Sequence, residues 1–421
     1  MMFAQLAIIL AAALIAGMIA RRVGLPAMVG ELIAGVLLGP SLLGLLLPRV
    51  SDALFDDGAP SPLVEGIGQF GVLLLVGLAA TELDTEVLRR RIGVVSSVSL
   101  WAFGIPLGGG VAVGFLVPVT FHGEGSSTLE FALLLGAAMS LSAIPVIAKI
   151  LTDLGLMRGQ IGQITLAAGT INDIGAWLLL AAVSAMTTVG LRGWQLPLTV
   201  LSLAAVILAT IVLRPWVRRG LDRLESSTHK VHVTALVVII IAGGAAVTDA
   251  LHLEAVLGAF LAGLLVGERD ATTSSPLRTV TTAVLAPVFL ATAGLHLDLL
   301  VLGEPGVALL ALAVLVVAVA TKLLGGYVGA RLARVGRWEA LAYGSGLNAR
   351  GVVGIIVATV GLELGVFTDA VYMVVVLVAV VTSIMAGPMV VAAVRRADTS
   401  GGAGVPDPSA EANVRAPAVT D

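Results

Sequence analysis

Three charged residues stand where an apolar chain has least reason to keep them. Asp173 is the only charged residue between Ile164 and Gly190, Lys322 the only one between Val307 and Ala330, and Arg350 the only one between Ala340 and Leu362. Each lies near the middle of an apolar run long enough to cross a hydrocarbon layer about 30 Å thick. A charge there costs at least about 2.5–3.5 kcal/mol on insertion scales, so it persists where it is used or paired. Asp173, in the run GTINDIGAW, offers the simplest chemistry. A carboxylate held at mid-membrane binds a hard monovalent cation or a proton, and not both well at once. Burial and neighbouring positive charge act in opposite directions on its hold on a proton. Competition for one site, combined with exposure to each side in turn, amounts to exchange. Asn172 beside it adds neutral hydrogen bonding without a second negative charge. Ser142 and Thr170 carry hydroxyls that either ligate an ion or bond to their own helix backbone. For Lys322 and Arg350 two readings stand: a role at the site, or structural pairing such as Lys322 with Asp173.

The elements that must hold these residues are membrane helices. Of 421 residues, 58% are apolar and 12% charged, where a soluble domain carries about 25% charged residues. A soluble enzyme is excluded, and an all-α polytopic membrane protein follows. Breaks at charged, Gly/Pro and Ser clusters give thirteen apolar stretches, near 3–20, 26–47, 63–80, 92–119, 129–151, 161–189, 196–216, 231–248, 252–267, 280–297, 306–330, 338–362 and 370–394. With the first stretch running outside to inside, nineteen of the 24 basic residues fall in loops on one side and only Arg49 and Arg192 on the other. That bias predicts thirteen transmembrane helices in the cell membrane, N-terminus outside and C-terminus cytoplasmic.

The first stretch has no basic residue before it and Arg21–Arg22 after it, so it reads as a retained helix rather than a secretory signal. Residues 395–421 lack periodicity and are expected to be a disordered cytoplasmic tail, too short for a regulatory nucleotide-binding domain. The absence of cysteine excludes disulfides, thiolate metal sites and thiol redox switching. No basic groove with aromatics suggests nucleic acid, no phosphate-binding glycine–lysine motif suggests a nucleotide-driven pump, and no cofactor is expected.

An internal repeat organises the stretches. GELIAGVLLG (30–39) and GAFLAGLLVG (258–267) share five of ten positions, with three glycines in register. The offset is seven helices, so helices 1–6 and 8–13 form two six-helix repeats of opposite orientation joined by helix 7, near 196–216. Inverted repeats place the substrate site on helices interrupted at matching positions. Helix 5 carries Pro145 within SLSAIPVIAKIL, and helix 12 carries Asn348 and Arg350 within YGSGLNARGVVGI. Both are fifth in their half, and such breaks survive only against protein or a polar cavity. Packing kinks are the simpler reading for either helix alone.

Other polar residues read more plainly. Lys149 lies four residues from Asp153 and pairs locally or reaches the membrane surface. Glu31 is placed where its carboxylate reaches water. His252, Glu254, His296 and Asp298 read as helix-end residues. The arginines of 214–223 are a topology signal, with anionic membrane lipid as a secondary contact.

At these residues the sequence resembles the cation/proton antiporter superfamily over nearly all of its first 394 residues. The closest likeness is to its second branch, which includes bacterial sodium/proton antiporters, potassium-efflux proteins and plant cation/proton exchangers. The matching stretches are GLPAMVGELIAGVLLGPSLLG (24–44), SLSAIPVIAKIL (140–151), INDIGAWLLLA (171–181), LGAFLAGLLVG (257–267) and GLNARGVVGIIV (346–357). The resemblance implies a homodimer. It implies a static interface bundle (about 3–90 and 231–300) and a moving core (about 92–190 and 306–394). Helices 5 and 12 would cross at their breaks beside Asp173, the shared carrier of cation and proton. Lys322 matches a core lysine that, in relatives with an Asp-Asp pair, bridges to the first aspartate. Here that position is Asn172, which leaves the lysine's partner open and by the family's pattern favours electroneutral exchange.

The leading expectation is therefore a secondary sodium or potassium/proton antiporter, with Asp173, Asn172, Ser142 and Thr170 at the ion and Lys322, Arg350, Asn348 and Pro145 supporting the breaks. The alternatives are a gated potassium-efflux pathway and a sodium-coupled symporter of an organic solute. The symporter is disfavoured because only 5 Trp, 3 Tyr and 10 Phe are available to form an organic-binding patch.

Overall fold

The computed structural model describes residues 2–55, 60–124, 126–188, 195–225, 230–251, 253, 255–269, 271–295 and 303–399. His252, Glu254, His296, Asp298 and the chain from residue 400 onward lie outside the described residues. In chain order the helices are α1 (Met2–Arg22), α2 (Ala27–Leu38), α3 (Pro48–Leu54), α4 (Pro62–Thr81), α5 (Thr85–Arg90) and α6 (Ile92–Leu116). There follow α7 (Thr128–Ser140), α8 (Ile144–Asp153), α9 (Gln160–Thr188), α10 (Gln195–Glu225), α11 (Lys230–Ala250) and α12 (Ala255–Val266). The last six are α13 (Ala271–Val280), α14 (Ala286–Leu295), α15 (Pro305–Leu332), α16 (Arg337–Leu347), α17 (Gly351–Glu363) and α18 (Asp369–Thr399). Among the described residues the only β feature is an isolated bridge between His122 and Phe367.

Helix is what a chain this apolar must form, because lipid offers the backbone no hydrogen-bond partner. Among the described residues ten helical runs are long and apolar enough to cross a membrane, beside the shorter apolar helices Ala255–Val266 and Val353–Glu363. The apolar stretches fall on helical segments: the fifth and twelfth on two helices separated by three residues, and the second and tenth on a helix joined to a π-helical turn, Pro40–Gly44 after α2 and Thr281–Leu285 before α14. Polar residues set several ends. Ser127 and Glu130 form a reciprocal capping box at the start of α7. The Asp84 carboxylate accepts from the Glu86 and Val87 amides at 2.8 and 3.2 Å to start α5. At the other end of the chain, α18 continues past the last apolar stretch to Thr399. Arg395 and Arg396 suit the negative end of a helix dipole, and Arg396 also stacks 5.0 Å over Trp338. Residues 395–399, expected in the disordered tail, are thus helical; residues 400–421 lie outside the described residues.

Small residues let the helices approach closely, as membrane packing favours. The repeat glycines do so in matching pairs. On α2, a Cβ at Gly30 would lie 2.1 Å from the Ala16 carbonyl oxygen of α1, and one at Gly35 would lie 2.0 Å from that of Ala291 in α14. On α12, a Cβ at Gly258 would lie 2.2 Å from the Gly244 oxygen of α11, and one at Gly263 would lie 2.1 Å from that of Gly77 in α4. So α2 sits between α1 and α14 as α12 sits between α11 and α4. The pairing continues in α6, which packs on α7 and α9 as α15 packs on α16 and α18, and α6 and α15 pack on each other.

Candidate functional site

The site is built on two interruptions. α7 stops at Ser140 and α8 starts at Ile144; α16 stops at Leu347 and α17 starts at Gly351. Pro145 falls in the first turn of α8, where its fixed φ is already helical and its missing N–H costs no bond. Across the interruptions the chains bond to each other. The Ala143 amide donates to the Ala349 carbonyl at 2.7 Å, and the Ser142 hydroxyl donates to the Leu347 carbonyl at 2.9 Å. The two broken helices therefore meet at their breaks. Gly351 opens α17 with φ +54°, in the left-handed region, and its amide donates to the Ser383 hydroxyl of α18 at 2.9 Å.

An interrupted helix leaves carbonyls without intrahelical donors, and its C-terminal end carries partial negative charge. Two buried cations take up those of α7. Lys322 Nζ donates to the Ser140 carbonyl and, at 3.0 Å, to the Ala102 carbonyl of α6. Arg350 Nη2 donates to the Met139 carbonyl at 2.8 Å and to the Ala318 carbonyl of α15 at 3.0 Å. Its Nη1 donates to Asn348 Oδ1 at 3.3 Å. Of the two readings of Lys322 and Arg350, these bonds support structural stabilisation of the break. Lys322 also lies within electrostatic reach of Asp173 and Arg350.

α9 carries the carboxylate past this junction. A Cβ at Gly169 would lie 3.0 Å from Ile147 of α8 and 3.8 Å from Leu347 of α16. One helical turn further on the same face comes Asp173, 6% exposed, beside fully buried Asn172. Both side-chain polar atoms of Asn172 lack a hydrogen-bond partner among the described residues, as do Ser345 Oγ and Asn348 Nδ2. Buried polar atoms without protein partners call for an ion or water. Thr170 donates to the Leu166 carbonyl of its own helix at 2.9 Å, which leaves its oxygen lone pairs for an ion. Among the described residues no group of three or more His, Cys, Asp or Glu gathers as a metal site. A single carboxylate with neutral oxygens suits a monovalent cation.

One expectation fails here. Glu31 is buried rather than in reach of water, with Oε1 3.4 Å from Lys149 Nζ. Lys149 does pair locally with Asp153, at 3.2 Å. The link to Glu31 spans more than a hundred residues and has no local spacing to announce it. Ser383 was missed for a related reason: a serine in an apolar helix reads as bonding to its own backbone, which it also does, to the Ala379 carbonyl at 2.7 Å.

Comparison with known proteins adds four findings. Residues 9–396 match the model of the family described as sodium/hydrogen exchanger, transmembrane. The chain is 30% identical to the Na(+)/H(+) antiporter NhaS4 of Synechocystis sp., over 93% of this chain and 96% of that one. It is also 30% identical to cation/H(+) antiporter 20 of Arabidopsis thaliana, over 93% of this chain but only 48% of that longer protein. In structure it resembles the sodium proton antiporter MjNhaP1 of Methanocaldococcus jannaschii, with TM-score 0.66, 17% identity, and coverage of 96% of this chain and 99% of that one.

Proposed function

The chain belongs to the sodium/hydrogen exchanger family, and on that premise we propose that it is a secondary antiporter exchanging a monovalent cation, sodium or potassium, for a proton. The observation that carries the reading is the pair of mutually bonded helix breaks beside the buried Asp173 of α9. Asp173 binds either the cation or the proton. Asn172, Thr170 and Ser142 supply neutral oxygens, and Lys322 and Arg350 hold the end of α7 in place. Exchange follows when the loaded carboxylate is exposed to each side in turn.

The architecture we propose with it has thirteen spans in two inverted six-helix repeats, α10 being the linker. The matching approaches of the glycines on α2 and α12, and the two three-residue breaks, support that symmetry. α1–α5 and α11–α14 would be the static bundle and site of homodimer contact, and α6–α9 and α15–α18 the moving core. The positive-inside bias supports an outer N-terminus and a cytoplasmic C-terminus in the cell membrane.

Proteoliposomes with a trapped pH dye test the carrier. Addition of sodium or potassium is expected to move the internal pH with the native chain and not with Asp173→Asn, which keeps the shape and removes the titratable group. Cation-driven pH change in folded Asp173→Asn would sink the assignment.

A further inference from the structure

Pro145, Lys149 and Asp153 succeed one another at intervals of four and so line one face of α8. The surroundings of that face change abruptly along it. At Pro145 it opens into a cavity of about 300 Å³, lined also by Gln69 and Val72 of α4, Asp249 of α11, Val256 of α12 and Ile356 of α17. One turn on, Lys149 is 1% exposed. Its ammonium lies 3.4 Å from Glu31 of α2 and 3.2 Å from Asp153, and donates to the Thr282 carbonyl, between α13 and α14, at 3.1 Å. Another turn on, Asp153 accepts from the Met28 amide of α2 at 3.2 Å and lies 3.8 Å from Arg21. The seam between α8 and the helices facing it is open at the Asp249 end and plugged by charge at the Arg21 end. Two further links close the same end: Arg158 to Glu268 at 3.1 Å, and Gln163 to the Glu82 carbonyl and the Asp84 amide, each at 2.8 Å.

A buried ion cluster of this kind has two acceptable states. Intact and dry, its charges compensate one another; fully hydrated, water compensates them. Half-broken, it leaves an unpaired charge in low dielectric, the costly case. Such a seam is bistable, closed or open to water, with little populated between.

We propose that Lys149, Glu31 and Asp153 form the gate that shuts the exchange site off from the Arg21 side while the cavity gives access from the Asp249 side. This rests on the antiport reading, which requires access to alternate. The gate residues touch neither cation nor proton carrier; they act by setting which side is open.

The native chain has no cysteine, so a single thiol reports access without background. Ile356→Cys, on the cavity wall, is labelled with a membrane-impermeant maleimide added from the Asp249 side. Glu31→Gln removes one partner of Lys149 and is expected to lower the labelling rate several-fold, because the closed end opens and the cavity shuts. Lys149→Arg, which keeps the charge and the donors facing Glu31, Asp153 and the Thr282 carbonyl, is expected to keep a near-native rate, whereas Lys149→Met is expected to lower it as Glu31→Gln does. Asp153→Asn serves as the second variant and lowers labelling in the same way. Unchanged labelling in folded Glu31→Gln and Asp153→Asn overturns the gate, as does unchanged labelling in folded Lys149→Met. The readout needs no transport. Exchange surviving in Asp173→Asn would remove the carrier and leave the labelling result standing, and unmoved labelling would remove the gate and leave the carrier.

Discussion

At the scale of single residues, the two buried cations show how a membrane chain uses charge to terminate a helix. Lys322 and Arg350 spend their donors on the Ala102, Ser140, Met139 and Ala318 carbonyls. Lys322→Ala would strip a donor from two buried carbonyls, at about 1–3 kcal/mol for each group left unsatisfied. A fall in Tm with unchanged preference among sodium, potassium, lithium and rubidium is expected. A variant of native Tm with altered preference would place the lysine among the ion's own ligands. Arg350→Lys tests the same logic. An ammonium cannot reproduce the planar fork that serves Met139, Ala318 and Asn348 together, so thermal stability is again expected to fall. That these charges mattered was legible in the sequence, because a lone charge in an apolar run is costly wherever it folds. Their partners were not legible: backbone carbonyls are the same at every residue, and only the fold says which ones a break sets free.

At the scale of the elements, the breaks were readable and the long-range ties were not. Pro145, and the small polar run from Gly344 to Gly351, mark positions where a continuous helix is unfavourable, and the structure interrupts both helices there. Glu31 misled because distance along its own helix was the only measure of its depth, and α8 covers it. Gly351 carries a sharper expectation. Its φ of +54° is unfavourable to any side chain, and a Cβ there would lie 2.6 Å from Val146 and 2.9 Å from Ala143. Left-handed backbone alone costs a non-glycine residue about 1–2 kcal/mol, so Gly351→Ala is expected to lower Tm clearly. Gly93 is the control: helical, with nothing within 4 Å of an added Cβ. Gly93→Ala is expected to hold or raise Tm, by up to about 1 kcal/mol of helix propensity. Equal losses in both variants would mean that the turn into α17 is not strained.

At the scale of the whole molecule, the proposed exchange carries a moving core and its load across the membrane, and the net charge of that unit would set the response to voltage. With Asn172 in place of a second acid, Asp173 brings one negative charge, which one cation or one proton neutralises. The two loaded forms then carry equal charge. The empty form lacks the cation or proton that satisfies the carboxylate and differs from both loaded forms by one charge, so it is expected to cross slowly in low dielectric. One-for-one, electroneutral exchange follows, with flux insensitive to membrane potential. Lys322 could change the count by releasing a proton of its own during the cycle. Its bonds to the Ala102 and Ser140 carbonyls fix it at the end of α7, where the helix dipole favours the charged form. Asn172→Asp would add a second charge beside Asp173 and is expected to introduce voltage dependence. Solid-supported-membrane recordings decide between the two balances. The native chain is expected to give no transient current on a sodium or potassium jump that nevertheless moves protons, and Asn172→Asp to give one. A robust native current that reverses with the pH gradient would mean that net charge moves with the core, and that one carboxylate is not the whole of the transported balance.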